Sequence, residues 1–216
     1  MKVRGIALLM GLVLLAAISL LALMAANSML LQSRMSANYS ERGQALARAT
    51  RAIAAATSWL YSRPDFERER DCTSGCQLPV AIHARGQLPR NPEFEGAAWW
   101  RSHGFAEGIH PATLEPLTAQ LTETDPPMWV MEELDYMPLA EPGVEPEIDG
   151  IGYYRILARG TGGSPGSIAV VESIIARPWY GDFTPLPYPP GQSRTTFCDQ
   201  FSPALPCGTQ AWRQRR

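Results

Sequence analysis

The chain has 216 residues, of which 45% are hydrophobic and 19% are charged, with 19 basic side chains against 21 acidic ones. This length suits one ordinary domain, and the near-even charge gives no basic surface of the kind that binds nucleic acid. The hydrophobic excess is concentrated, because residues 5–33 contain no charged side chain. A helix over that stretch would be about 43 Å long, more than the hydrocarbon core of a bilayer. A purely cytosolic protein is therefore not expected.

The N-terminus carries a short basic segment that ends in Gly5, and the apolar stretch begins at Ile6. A secretory signal has an apolar core of about 7 to 15 residues, and the stretch here is about twice that length. A plain membrane anchor and a leader that is removed after Gly5 while the apolar helix is retained are the other two possibilities, and the short basic segment ending in Gly5 fits such a leader. Lys2 and Arg4 place the N-terminus in the cytoplasm by the positive-inside bias, with the rest of the chain across the membrane.

The predicted helix continues well beyond the apolar stretch. Apolar residues recur at spacings of three, four or seven, which keeps them on one helical stripe: Leu31, Met35, Tyr39, Leu46, Ala49, Ile53, Ala56 and Leu60. Pro64 is the first proline, and the residue before a proline is disfavoured in a helix. One helix over about residues 6–61 follows.

The second half of the chain reads as a small antiparallel sheet. Residues 129–134, 151–159 and 167–177 are rich in β-branched and aromatic side chains, and residues 160–166 join the last two as a hairpin. Alternation in the middle strand predicts a sheet with one face in water. Short helices are expected over 95–103 and 114–121, and an irregular coil from residue 178 onward. The expected fold class is α+β, with the sheet on the C-terminal half of the long helix.

Four cysteines all follow the apolar stretch, so they lie in an oxidising compartment if the topology is correct. They are Cys72, Cys76, Cys198 and Cys207. Of the three possible connectivities, the two local pairs are favoured, because each closes a small loop. Zinc bound by the same four residues is the alternative.

Several segments together resemble the type IV pilins, and within them the minor pilins of the PilX kind. They are residues 4–9 (RGIALL), 33–38 (SRMSAN), 45–49 (ALARA) and 153–163 (YYRILARGTGG). The resemblance implies a long helix carrying an α+β head, divided into a leader (1–5), a transmembrane half-helix (6–33) and an extracytoplasmic head (34–216). It also implies a disulfide-pinned C-terminal loop.

The same resemblance implies a function in assembly and no catalysis, cofactor or metal. A prepilin peptidase would cleave after Gly5, and Ile6 would be methylated at its new amino group. The chain would wait in the inner membrane and then join the major pilin and other minor pilins in a pilus that supports twitching motility and adhesion. Most pilins carry Glu where this chain has Met10. A subunit without that carboxylate would suit the pilus tip, where no subunit precedes it.

Other functions stay open from the sequence. A minor pseudopilin of a type II secretion system has the same architecture, and Met10 would also suit an anchor that never polymerises. A single-pass anchored periplasmic enzyme or binding protein is the more distant alternative.

Three local patterns are assigned no chemistry. Residues 162–166 match Gly-x-Ser-x-Gly, but a strand follows where a serine hydrolase needs a helix. His83, His103 and His110 lack metal-binding spacing and are expected on surface loops. An acidic group could suggest calcium, but no calcium-binding loop pattern is present and a solvated surface is expected; it comprises Glu132, Glu133, Asp135, Glu141, Glu145, Glu147 and Asp149.

Overall fold

The computed structural model describes residues 4–64, 80–111, 114, 125–139, 148–164, 166–181, 183–188 and 196–215. The chain divides into two compact units, Met1–Glu41 and Arg42–Arg216. We call the second unit the head.

Helix α1 spans Arg4–Ser62, which confirms the single long helix predicted from the sequence. It ends two residues before Pro64, as the conformational restriction before proline requires. Within the first unit its large apolar side chains are exposed, from Leu8 at 76% to Tyr39 at 83%.

The head begins with the last third of α1, which buries one narrow face. Its fully buried residues are mostly alanines separated by three or four positions: Ala45, Ala49, Ala52, Ala56 and Leu60. That spacing places them on one stripe. Small side chains let the sheet approach closely, and at Gly160 an added Cβ would lie 2.3 Å from the Ala45 carbonyl oxygen.

A five-stranded antiparallel sheet packs on this face in the order β1-β2-β3-β4-β5. The strands are β1 (Phe105–Ala106), β2 (Met128–Pro138), β3 (Gly150–Thr161), β4 (Ile168–Trp179) and β5 (Gly208–Arg215). The α+β class and the three predicted strands are confirmed. The expectation of three strands alone and a wholly irregular tail is wrong, because β5 pairs with β4 from Val170↔Arg215 to Ala176↔Gly208.

Two hydrophobic cores lie on opposite faces of the sheet. The larger one joins α1 to the sheet through Trp59, Trp129 and Tyr154. The smaller one contains Leu88, Trp100, Met128, Val130, Leu157 and Val170. The expectation of one solvated face is therefore wrong at the end of the sheet where these residues pack.

Helix α2 (Ala97–His103) contributes Trp100 to the smaller core, fully buried. It begins two residues later than predicted and ends before Gly104. A side chain on Gly104 would lie 2.9 Å from the carbonyl oxygens of Trp100 and Trp129, so glycine allows α2 to meet β2 closely.

The β3–β4 turn contains the Gly-x-Ser-x-Gly match. It leads from one strand directly into another, closed by a 2.7 Å hydrogen bond from Gly162 N–H to the Ser167 carbonyl. A nucleophile elbow requires a strand-to-helix turn, and this turn is not one. The helix predicted over 114–121 lies outside the described residues apart from Leu114.

Candidate functional site

Residues 8–33 of α1 form an apolar surface of exposed side chains. Their leucine, isoleucine and methionine side chains are more than half exposed, and α1 from residue 8 is long and apolar enough to cross a membrane by length and composition. Such a helix can reside in lipid or pack against other apolar helices, because both remove the same side chains from water.

Met10 lies on this surface with 68% of its area exposed. A thioether carries no charge, so the residue adds nothing to the cost of placing the helix in lipid, whereas a carboxylate there would cost a few kcal/mol (roughly 3 on insertion scales). Gly5 and Ile6 both lie within α1, and cleavage between them stays a prediction.

The C-terminal end of α1 is held by Arg177 of β4, a residue that sequence reasoning did not single out. Its guanidinium is fully buried and donates hydrogen bonds to the carbonyls of Leu60 and Arg63. The last carbonyls of a helix lack partners within it and carry partial negative charge, so a cation there is favourable. A basic residue in a strand gives no sequence signal for this contact.

Aromatic rings surround the same guanidinium. Its carbon atom lies 3.5 Å from the Trp179 ring centre, 5.2 Å from that of Phe197 and 5.7 Å from that of Phe183. Cation–π attraction offsets part of the cost of burying the charge. Burial raises the pKa of nearby Tyr61 to about 12, against a smaller lowering by the Arg177 charge. The site therefore combines the neutral phenol of Tyr61 with the buried cation of Arg177, and it is suited to anchoring the helix rather than to proton transfer.

The predicted disulfide between Cys198 and Cys207 is present, with 5.6 Å between the two Cα atoms. It joins a short 3-10 helix (Phe197–Gln200) to the residue just before β5. Beside it, the Phe197 ring stacks on Tyr61 at 4.6 Å. The bond thus holds the C-terminal segment near the end of α1. Cys72 and Cys76 lie outside the described residues, and their pairing stays a prediction.

Two members of the acidic group do not lie on the solvated surface that the sequence suggested. Glu132 and Glu133 belong to β2 and are 2% and 6% exposed. Glu132 is paired with Arg155 at 2.9 Å, because the two residues stand opposite each other in neighbouring strands. Asp135 is exposed, as expected. Glu141, Glu145 and Glu147 lie outside the described residues. Among the residues that the structure describes, no group of three metal-binding side chains occurs.

The histidines are not three surface residues. His83 is 4% exposed, and its segment bridges β2, with His83 N–H donating to the Met131 carbonyl at 2.8 Å. Burial is the main cause that lowers the pKa of His83; the nearby His103 lowers it further, and Glu132 opposes the shift. His103 ends α2 and stacks on Trp99 at 4.5 Å. His110 contacts the edge of the Tyr188 ring at 5.5 Å. The structure does not bring the three together as a metal site.

The N-terminal helix matches a known protein family. Residues 4–56 match the family model described as PilX N-terminal. No curated protein and no solved structure shows a significant match to the chain. The matched segment covers most of α1, including the apolar surface and most of the alanine face in the head. It supports a PilX-family type IV pilin and, in general terms, a minor pilin of a type IV pilus. The family consists of structural pilins, not enzymes.

Proposed function

We propose that this chain, a pilin of the PilX family by its N-terminal helix, acts in initiation of the type IV pilus and remains at or near the tip. The observation that carries this proposal is Met10 on a helix of the PilX type. Pilins assemble with other pilins, so the partners in this role are the major pilin and the other minor pilins. Twitching motility and adhesion would depend on the chain through the pili that it helps to start.

The route to the pilus begins in the inner membrane. The basic residues before the apolar stretch favour a cytoplasmic N-terminus, and a prepilin peptidase would cut between Gly5 and Ile6. After cleavage, the apolar surface of residues 8–33 would exchange lipid for the helices of neighbouring subunits.

Met10 is suited to the tip for an electrostatic reason. In a pilus shaft, a carboxylate at this position would pair with the amino group of the preceding subunit, and that pairing offsets the cost of a charge in an apolar surrounding. A tip subunit has no preceding subunit. Its carboxylate would stay unpaired, so an apolar side chain is the more stable choice there.

The test uses Met10→Glu with Met24→Glu as the matched control. Both residues are methionines on the same apolar surface, 68% and 67% exposed. Deleting the protein should sharply reduce the number of pili. Met10→Glu should leave pilus number and twitching unchanged or slightly reduced, because no partner amine is available. Met24→Glu should be no better.

Immunogold labelling along the fibre separates the alternatives. Label at one end of each fibre supports the proposal. If Met10→Glu, and not Met24→Glu, spreads the label along the shaft, the missing carboxylate is what restricts the subunit, and the tip argument is wrong. Mass spectrometry of protein from sheared pili should find a methylated Ile6 at the N-terminus; an intact Met1 would refute the processing step.

A further inference from the structure

A groove of about 460 Å³ runs beside β5 on the side of the sheet that faces α1. We call it the β5 groove. One wall is α1, through Thr50, Ile53, Ala54 and Thr57, and the opposite side is formed by Trp212 of β5. It lies wholly within the head. It exists because α1 buries its narrow alanine face on the central strands and does not cover β5.

β5 is also an edge of the sheet. In the part of the chain that the structure describes, β5 pairs only with β4, and its six central residues from Thr209 to Gln214 are exposed. The other edge strand, β1, has only two residues. A long exposed edge offers backbone hydrogen-bonding groups to another strand, and proteins usually shorten, bend or cover such edges.

The groove and the edge together select the shape of a ligand. A strand added beside β5 would direct every second side chain into the groove, since side chains alternate between the two faces of a sheet. Those side chains would meet Ile53, Ala54 and the half-exposed Trp212, and none of the residues that line the groove is charged. The lining also includes hydroxyl side chains, such as Thr50 and Ser173, but uncharged and mainly apolar residues are favoured at every second position.

The charge on β5 determines which side chains suit the other face of a bound strand. On the face of β5 away from α1, the Arg213 side chain is 61% exposed although it pairs with Glu172 at 2.7 Å, whereas Arg215 is 12% exposed and is paired with Glu172 and Glu93. A second copy of this chain would add the same cations to the edge. A strand with acidic residues on that face would instead attract them.

We propose that β5 and the β5 groove bind an extended strand of a different protein, apolar on the side facing α1 and acidic on the side of Arg213. The site lies within the head and does not involve residues 8–33 of α1. It does not rest on the proposed role in the pilus, so failure of either leaves the other intact.

The probe is a capped eight-residue peptide of alternating valine and glutamate, with a valine–lysine peptide as its control. The full chain in detergent micelles is mixed with each peptide, and hydrogen exchange is measured at the amides of residues 209–214. The acidic peptide should slow exchange there at least tenfold, and the lysine peptide should not.

Two tryptophan variants locate the binding. Ala54→Trp would fill the groove, whereas Ala47→Trp adds the same side chain at another exposed position of α1 that does not line it. Circular dichroism checks that both variants fold. Ala54→Trp should weaken binding of the acidic peptide at least tenfold, and Ala47→Trp less than twofold.

Three results would overturn the proposal. One is equal protection by both peptides, which would remove the role of charge. Another is no protection by either peptide at millimolar concentration. The third is a concentration-dependent dimer of the chain that Ala54→Trp abolishes, since the occupant would then be a second copy.

Discussion

Leu8 and Tyr39 expose about four-fifths of their side-chain surface, whereas Ala49 and Leu60, on the same helix, expose none. Both regions of α1 are rich in apolar residues, so hydrophobicity does not distinguish them. Side-chain size does: residues 8–39 carry leucines and methionines around the whole helix, while the fully buried residues between 45 and 56 are alanines on a single face.

The difference shows how one helix can serve two surroundings. Large apolar side chains on all sides suit lipid or many neighbouring helices, because contacts can form in any direction. A narrow stripe of alanines suits one fixed partner, because only there can the backbone of the helix approach a sheet closely. Polar side chains beside that stripe add contacts to the rest of the head. Arg48 donates to the Thr161 carbonyl at 3.0 Å, and Arg51 pairs with Glu107 at 3.1 Å.

Gly160→Ala should have the largest effect, since it tests the close approach directly. The new Cβ would lie 2.3 Å from the Ala45 carbonyl oxygen and 2.4 Å from the Ala49 nitrogen, and both are backbone atoms of α1 that cannot rotate away. We expect the free energy of unfolding of the head to fall by about 4 kcal/mol. Urea unfolding followed by circular dichroism measures it.

Gly166→Ala is the matched control, because a Cβ there meets nothing within 4 Å. It should change stability by less than about 0.5 kcal/mol. Equal effects of the two substitutions would mean that the alanine face does not set the distance between α1 and the sheet.

Arg177→Met should have the next largest effect, because it removes the cation that binds the end of α1. The carbonyls of Leu60 and Arg63 would lose their guanidinium donor, and the rings around it would lose the cation–π contact. A loss of about 3 kcal/mol is expected from hydrogen bonds to a charged group.

Arg177→Lys separates charge from geometry, since lysine keeps the charge but lacks the planar fork that reaches two carbonyls. It should recover less than half of the loss, as judged by thermal unfolding. Full recovery by lysine would show that charge alone is sufficient at the end of the helix.

The two regions also differ in how pH affects them. Residues 8–33 contain no titratable side chain, whereas the head contains His83. Burial lowers the pKa of His83, so its neutral form is favoured in the folded state. The contribution of His83 is then fully present above its unfolded pKa of about 6.5 and is lost as the pH falls. Protonation of this one histidine can reduce the free energy of unfolding by up to about 1.4 kcal/mol per pH unit.

Urea unfolding at pH 7 and pH 5 tests this prediction in the native chain and in His83→Gln. His103, Glu132 and Gln87 are the groups that act on His83, and they remain in the variant. The native head should lose more stability on acidification than the variant does. The same loss in both would assign the acid sensitivity to other groups.

The sequence predicted those helices and strands whose residues favour the conformation without help from distant segments. The end of α1 followed from Pro64, and the three central strands from their β-branched and aromatic runs. β5 was missed because Thr-Gln-Ala-Trp-Arg-Gln-Arg has no such run, and its strand conformation comes from pairing with β4. A strand of that kind depends on tertiary contacts that a sequence pattern does not encode.

The same reasoning explains which site residues could be found. Gly5, Ile6 and Met10 stand out in sequence, because a leader and an apolar helix are local features. The burial of His83 and Glu132 was missed, since it arises where a distant segment bridges β2. The β5 groove unites α1 with residues more than 100 positions later, so no local pattern could have indicated it.

Gly43→Ala should have the smallest effect and the opposite sign. Gly43 lies within α1, near the start of the head, and an added Cβ meets nothing within 4 Å. Alanine is favoured over glycine in a helix interior by about 0.8 kcal/mol, so the free energy of unfolding of the head should rise by about that amount. Gly11→Ala is the matched variant in the first unit, where a Cβ is equally unobstructed. If the two units unfold independently, Gly11→Ala leaves the urea unfolding curve of the head unchanged. If both variants shift that curve equally, α1 unfolds as one cooperative element, and the contrast between its two regions concerns their surroundings alone.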